Sequence, residues 1–182
     1  MSAPIAIDVE TVLSQTSAQL STRSVLKALQ HLFALQEARA SVYHELERGF
    51  ATFLADKYAP TYQVLLMRTR NEFAQISQHI RSVEELLREL DHGSVADEIR
   101  QLQLFEKDKL LQMQAYQSSR VEKEVQRILP KGEVDYVHEH QVKLMKQERA
   151  AIIEQVNEQL QVLRYELFEL EEAVESDDQV PA

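Results

Sequence analysis

The 182-residue sequence has no cysteine, no tryptophan, only three glycines and only four prolines. Without cysteine the chain has no disulfide, no thiolate zinc site and no cysteine nucleophile, and this composition suits a reducing compartment. The scarcity of glycine and proline leaves few positions at which a helix has to end. The composition therefore predicts long helices, which would be rich in Ala, Leu, Glu, Gln, Lys and Arg.

Long apolar runs are missing as well. None exceeds four residues, as at Val64 to Met67, so no transmembrane helix is predicted. The opening residues MSAPIAIDVE have neither the basic region nor the apolar stretch of a secretory signal. We therefore expect an intracellular soluble chain, and its length fits one domain with a buried core.

The formal net charge is −10, and residues 92–182 carry 19 Asp+Glu against 11 Lys+Arg. This balance opposes broad capture of nucleic acid, which requires Lys and Arg to neutralise phosphates. Direct nucleic-acid contact is therefore not expected. A local basic strip does exist, but glutamates interleave with it, which favours ion pairs on the helix surface over phosphate contacts. The strip comprises Arg120, Lys123, Arg127, Lys131, Lys143, Lys146 and Arg149.

The clearest pattern lies near the C terminus, where apolar residues recur at alternating steps of three and four within a helix from about 142 to 174. The mean spacing of 3.5 residues is typical of helices that supercoil around a partner helix. This helix is the fourth and last that the sequence predicts, so we label it α4. We call six of its residues the α4 stripe and predict that they bind a partner: Ile153, Val156, Leu160, Leu163, Leu167 and Leu170. If this last helix protrudes from a bundle, Leu167 and Leu170 are expected to be exposed.

Three further helices are predicted from the residues that are typical of helix starts and helix ends. Residues 1–21 read as a weakly structured segment, with Ser21 or Thr22 capping the first long helix. Breaks are expected near 58–60, 91–94 and 130–134, where Gly93 would end the second helix and Ser94 would start the third. Residues 176–182 form an acidic tail that is expected to be disordered.

The predicted fold is accordingly all-α. Residues 22–175 would form a single domain, an elongated antiparallel bundle or pair of coiled-coil hairpins of about four long helices, because the connections are short. Gly49 lies inside the first helix beside Phe50. It is either a tolerated defect or a point at which a partner backbone comes close.

Motifs for catalysis or for cofactors are not recognisable in the sequence. His138 and His140 flank Glu139, but side chains two residues apart on a helix point about 200° apart, so on a helix they cannot share a metal ion. In a loop they could share one, but only with further ligands from elsewhere in the chain. No Gly-rich phosphate loop, serine nucleophile elbow or paired-carboxylate motif occurs. We expect no enzyme activity, no cofactor, no metal and no small-molecule substrate.

The segment from Leu32 to Leu54 resembles the opening signature of the REX1-B family, whose name stands for "required for excision" in DNA repair. The residues that carry the likeness are Leu35, Gln36, Glu37, Ala38, Arg39, Ala40, Tyr43, Leu46, Glu47, Gly49 and Phe50. Weaker echoes follow at Gln101 to Gln114 and at Val156 to Glu172. The resemblance implies a small helical protein associated with repair of DNA damage, without an assigned catalytic activity or known active-site residues.

Two functions are consistent with these observations. The first is a non-enzymatic adaptor or scaffold subunit of a nuclear repair assembly, as the resemblance implies. The second is a structural coiled-coil subunit of a cytoskeletal or axonemal (ciliary) assembly in the cytoplasm, which the long helices favour. In either case the expected partners are other protein subunits, or further copies of this chain, bound through helical faces, and no membrane is involved.

Overall fold

The computed structural model describes the backbone of residues 9–126 and 135–178 and, within them, the side chains of residues 21–124 and 139–176. Four helices account for nearly all of it: α1 (Val9–Asp56), α2 (Ala59–Glu89), α3 (Gly93–Gln126) and α4 (Asp135–Asp178). No strand occurs in these two ranges. The prediction of an all-α helical bundle is therefore confirmed.

Each helix packs against two neighbours, so that α1 lies between α2 and α4 while α3 lies opposite α1. All neighbours run antiparallel. Along α1 and α4, for example, Gln30 is bonded to Glu171 and Glu47 to Arg149, so one helix ascends as the other descends. Along α3 and α4, Glu98 meets Gln159 and Gln112 meets Glu148. The molecule is thus an up-down-up-down bundle.

The helices differ in length. At a rise of about 1.5 Å per residue, the 48 residues of α1 and the 44 residues of α4 span about 72 and 66 Å, whereas α2 and α3 span about 46 and 51 Å. Within the two described ranges, no helix combines the length and the apolar character that crossing a membrane demands.

The start of α1 differs from the sequence interpretation. The helix begins at Val9 rather than near Thr22, so residues 9–21 continue the long helix. At the other end, α4 extends to Asp178, beyond the predicted start of the acidic tail. The predicted break at 130–134 and the end of the tail at 179–182 lie outside the described residues.

The turns between the first three helices use left-handed residues other than glycine. Lys57 (φ 59°) follows α1, and its N–H donates to the carbonyl of Phe53 at 2.9 Å. Asp91 (φ 64°) follows α2, and the next N–H, of His92, donates to the carbonyl of Leu87 at 2.8 Å, as in a Schellman motif. Gly93 is therefore not the C-cap that the sequence suggested but the first residue of α3.

The start of α3 is also shifted. The N–H of Ala96 donates to the carbonyl of His92 at 3.1 Å, so His92 occupies the position that Ser94 was expected to fill. The reason is that the short aspartate side chain tolerates the left-handed conformation at residue 91. The reversal is complete there, and the helix can restart immediately.

One apolar cluster runs through the centre of the bundle. Residues from all four helices contribute to it, and its fully buried members include Leu29 on α1, Ile80 on α2, Leu102 on α3 and Leu163 on α4. Thr69 is a polar residue on the buried face of α2, and its hydroxyl donates a hydrogen bond to the carbonyl of Leu65 at 2.9 Å. Burial of these faces is the main stabilising contribution to a fold of this kind.

Gly49 allows α1 and α2 to approach each other. A Cβ atom placed on Gly49 would collide with Cδ2 of Leu65, which is half-buried. The close approach proposed for this glycine is therefore present, but it is made by a side chain of the neighbouring helix of the same chain.

Candidate functional site

The α4 stripe faces the interior of the bundle. Val156 and Leu163 are buried, and Ile153 is half-buried. Leu160, Leu167 and Leu170 are half-buried and pack against the core. The expectation that Leu167 and Leu170 would be exposed is wrong, because α1 covers this part of α4 as far as Glu171. Partner binding by the stripe remains a prediction.

A different set of apolar residues is exposed on the same helix. Val162, Tyr165 and Phe168 have 43%, 63% and 56% of their surface accessible, and we call them the α4 outer row. They recur every three residues, so they lie together along one side of the helix. Large aromatic side chains exposed in a row are a common feature of protein-binding surfaces.

The charges around the outer row are mostly acidic, the exception being Arg164, whose guanidinium lies over the ring of Phe33 on α1. Glu158 lies one turn before Val162, while Glu169 and Glu172 lie one turn after Tyr165 and Phe168, and all three glutamates are exposed. The outer row is thus an apolar strip with carboxylates at both ends. A segment with an apolar face and basic residues beside it would complement this surface.

Two residues of the basic strip predicted from the sequence make contacts between helices. Lys123 lies 3.5 Å from Glu139 across α3 and α4, and Arg149 forms an ion pair with Glu47 across α4 and α1. Arg120 bonds to the hydroxyl of Tyr116 at 3.3 Å. Lys143 and Lys146 are exposed. Arg127 and Lys131 lie outside the described residues.

Histidine and carboxylate side chains do not cluster in the way that a metal site needs. Over residues 21–124 and 139–176, no group of three or more potential ligands comes together. His140 is exposed on α4. The side chain of His138 lies outside the described residues.

A polar layer interrupts the apolar core between α1, α2 and α3. Arg39 is only 3% exposed, and its Nη2 donates to Oγ of Ser77 at 2.9 Å. Tyr43 and Glu106 are each 6% exposed. Lys109 lies 3.4 Å from the Glu106 carboxylate and 4.2 Å from the centre of the Tyr43 ring. A buried layer of this kind is expensive to form unless its groups find partners.

Several polar atoms in this layer are buried without a hydrogen-bond partner among the described residues. They are Nη1 of Arg39, Nε2 of Gln36, Nε2 of Gln103 and Oε2 of Glu106. Each of them would gain from a ligand or a water that supplied the missing partner, because an unsatisfied buried group costs about 1–3 kcal/mol.

Burial also changes the acid–base properties of the layer. It lowers the pKa of Arg39, although the nearby Glu106 opposes this effect. It raises the pKa of Tyr43 far above the usual tyrosine range, with further contributions from the Glu106 charge and hydrogen bond. Both residues keep their ordinary charge state at neutral pH, so Arg39 is a buried cation and Tyr43 a neutral hydrogen-bond donor.

The polar layer opens to solvent through a groove of about 380 Å³. We call it the Arg39 groove, because Arg39 lies at its buried end. Three exposed basic residues, Arg81, Arg100 and Lys107, also line it, together with the polar side chain of Gln103. Glu106 is the lining carboxylate.

Sequence reasoning missed both the outer row and the Arg39 groove. A signal for the groove was present: Gln36 and Arg39 interrupt the apolar face of α1 with residues that rarely occupy a core without a reason. No such signal marked the outer row, because Val162 and Phe168 are adjacent in sequence to the stripe residues Leu163 and Leu167 and share their apolar character.

A family model described as DNA repair REX1-B matches residues 27–120, just over half of the chain. The matched segment contains every residue that lines the Arg39 groove. The outer row lies beyond it. No curated protein and no solved structure matches the chain significantly.

Proposed function

Because the chain belongs to the DNA repair REX1-B family, we propose that it is a non-enzymatic helical adaptor in the excision repair of DNA damage. Its task in this proposal is to hold a partner protein within a repair assembly in the nucleus. The observation that carries the adaptor role is the α4 outer row, an exposed apolar strip on a helix whose opposite side is already used in the core.

The outer row has the features of a binding surface that is ready before the partner arrives. Its backbone belongs to a helix anchored by the buried side chains of Val156 and Leu163, so little ordering is needed on binding. Tyr165 and Phe168 can bury large areas with few rotatable bonds, which is why aromatic residues dominate binding energy at many interfaces. The acidic flanks would select partners whose docking segment is basic.

The proposal is tested by repair assays in cells that lack the protein. We expect these cells to clear ultraviolet photoproducts slowly and to survive ultraviolet light poorly. The wild-type chain should restore both properties, whereas the double variant Tyr165→Glu, Phe168→Glu should restore neither although it remains folded.

Leu111→Glu provides the matched control, because Leu111 is 52% exposed on α3, away from the outer row. It should restore repair fully. Normal photoproduct clearance in cells without the protein would refute the repair role. Full rescue by the double variant would refute the part assigned to the outer row.

A second candidate, a structural subunit of a cytoskeletal or ciliary assembly, is favoured by the lengths of α1 and α4, about 72 and 66 Å. Helices of this reach suit a rod-like element of a filament. A fluorescent fusion distinguishes the two roles, since filament or cilium decoration would support this candidate and nuclear accumulation after irradiation would support repair.

A further inference from the structure

The Arg39 groove has the composition of an anion-binding site. We propose that it binds the phosphate group of a phosphorylated serine or threonine in a partner protein. This inference rests on the proposed adaptor function and deepens it by naming the chemistry of one partner. It concerns a surface between α1, α2 and α3, separate from the outer row of α4.

The first argument is the unused hydrogen-bonding capacity of Arg39. Its Nη2 donates to Ser77, but its Nη1 is buried and has no partner among the described residues. Nε2 of Gln103, in the same groove, is also buried without a hydrogen-bond partner among the described residues. A guanidinium presents its donors in a planar fork that matches two oxygens of a phosphate, and a buried donor gains most from such a partner.

The second argument is the local charge. Arg39, Arg81, Arg100 and Lys107 all line the groove of a protein whose net charge is −10. Within the described part of the chain, Arg81 and Lys107 make no ion pair, and Nη1 of Arg100 lies 3.9 Å from a carboxylate oxygen of Glu84. Arg81 and Lys107 are therefore available to a ligand, whereas Arg100 would share its charge between Glu84 and the ligand.

The carboxylate of Glu106, which also lines the groove, offsets only part of this charge. One of its oxygens lies 3.4 Å from Nζ of Lys109, which offsets its charge locally. The other oxygen is buried without a partner among residues 21–124 and 139–176, so it can accept a hydrogen bond. A peptide carries N–H donors beside its phosphate, and in the proposed complex one of them would donate to this oxygen.

The third argument selects a phosphorylated side chain over a nucleic acid. A groove of about 380 Å³ with its strongest donor at the buried end admits one phosphate on a short stem. A nucleic-acid backbone, in contrast, needs a long basic track, because its affinity comes from several phosphates neutralised together. Clusters of arginines around a single pocket are a recurrent way of recognising phosphorylated motifs.

The test uses the purified full-length protein and a fluorescent heptapeptide library with a central phosphoserine and degenerate flanks. Binding is followed by fluorescence anisotropy at low salt. We expect the phosphorylated library to bind at least about tenfold more tightly than the same library after dephosphorylation, and inorganic phosphate to compete with it. Arg81→Glu and Arg100→Glu should each weaken binding at least about tenfold, since each reverses a charge at the rim.

Arg70→Glu is the matched control, because Arg70 is an exposed arginine of α2 that does not line the groove. Both rim residues are exposed, so their variants should fold normally, whereas Arg39 variants would confound folding with binding.

Equal binding of the two libraries, or equal effects of the Arg70 and Arg81 substitutions, would overturn the proposal. Tighter binding of a 5′-phosphorylated single-stranded oligonucleotide would overturn it in favour of a nucleic-acid ligand. Each of these results can occur while the repair phenotype stands, so the two proposals fail separately.

Discussion

The hydroxyl of Tyr43 donates a hydrogen bond to the backbone carbonyl of Glu106, 3.3 Å away. This bond joins α1 to α3, which lie diagonally opposite in the bundle, and it therefore crosses the centre of the molecule. A carbonyl within a helix already accepts one bond from its own helix, and the tyrosine uses its second lone pair. The polar layer is thus tied to the backbone of α3 as well as to side chains.

The balance of charge in this layer predicts unequal effects of removing its members. Glu106→Leu leaves Arg39 and Lys109 without their nearby carboxylate and should cost about 3–5 kcal/mol of unfolding free energy. Arg39→Met should cost less, about 1–3 kcal/mol, because Lys109 still accompanies Glu106. Urea denaturation of both variants and of the double variant measures the coupling. Strictly additive losses would show that Arg39 and Glu106 do not interact.

Alkaline pH should destabilise the fold through its buried tyrosines. Burial raises the pKa of Tyr62 from 10.0 to about 12. The folded state is therefore more stable when Tyr62 is neutral than when Tyr62 is ionised. For a raised pKa this stability is complete below pH 10 and is lost as the pH rises through 12. Tyr62→Phe cannot ionise and should lose less stability than the wild type between these two values, as followed by urea unfolding at each pH.

At neutral pH the same variant should be slightly less stable, since Tyr62 donates to Oε1 of Gln117 at 3.0 Å. Tyr58→Phe is the control for the substitution itself, because Tyr58 is 60% exposed. A profile of Tyr62→Phe parallel to that of the wild type would contradict the role of this tyrosine.

Gly49 and Leu65 should behave as a coupled pair. Alanine at position 49 gains about 1 kcal/mol of helix propensity, but its methyl group must displace the Leu65 side chain. We expect Gly49→Ala to be roughly neutral in the wild type and to stabilise a Leu65→Ala background by about 1 kcal/mol. Denaturant unfolding of the four chains completes the double-mutant cycle. If Gly49→Ala changed the unfolding free energy equally in both backgrounds, the close contact between residues 49 and 65 would not affect stability.

Adjacent residues of α4 should differ sharply in their contribution to stability. Leu163 is fully buried, so Leu163→Ala should cost about 2–5 kcal/mol, as should Ile80→Ala on α2. Val162→Ala, one residue away and 43% exposed, should change stability by less than about 0.5 kcal/mol. Thermal and urea unfolding measure these values. Losses below about 0.5 kcal/mol at both buried sites would place them outside the core.

Glycine at position 91 should stabilise the turn between α2 and α3. Asp91 holds a left-handed φ of 64°, which costs an L-residue free energy that glycine avoids. We expect Asp91→Gly to raise the unfolding free energy by about 0.5–1 kcal/mol. Glu85→Gly, six residues earlier and at an exposed position inside α2, should lower it by about 1 kcal/mol. A loss at both positions would show that the aspartate side chain offsets its own strain.

The features that the sequence predicted well are those set by periodicity. The regular spacing of Ile80 and Leu163 within apolar stripes identified core positions, because a helix packed on others must bury one face. The sequence was a poorer guide to which individual side chains are buried and which are exposed. Periodicity placed Leu167 on the stripe with Leu163, but only the packing of α1 against α4 shows that this end of the stripe is covered.

Features set by tertiary contact were not predictable in this way. Arg39 is separated by many residues from Arg81 and Arg100, and nothing local indicates that three helices bring them to one groove. Asp91 was overlooked for a related reason. Glycine is the common left-handed residue at helix ends, so Gly93 seemed the better choice, and the hydrogen bonds of the turn are needed to locate the reversal.

The pairing of the first helix with the last has a consequence for biosynthesis. A ribosome releases α1, α2 and α3 before α4, so the apolar faces that α4 covers stay open to water until α4 has been translated. During that interval the nascent chain is a target for chaperones. It can also accept the α4 of a neighbouring nascent chain, which would yield a domain-swapped dimer with the same contacts as the monomer.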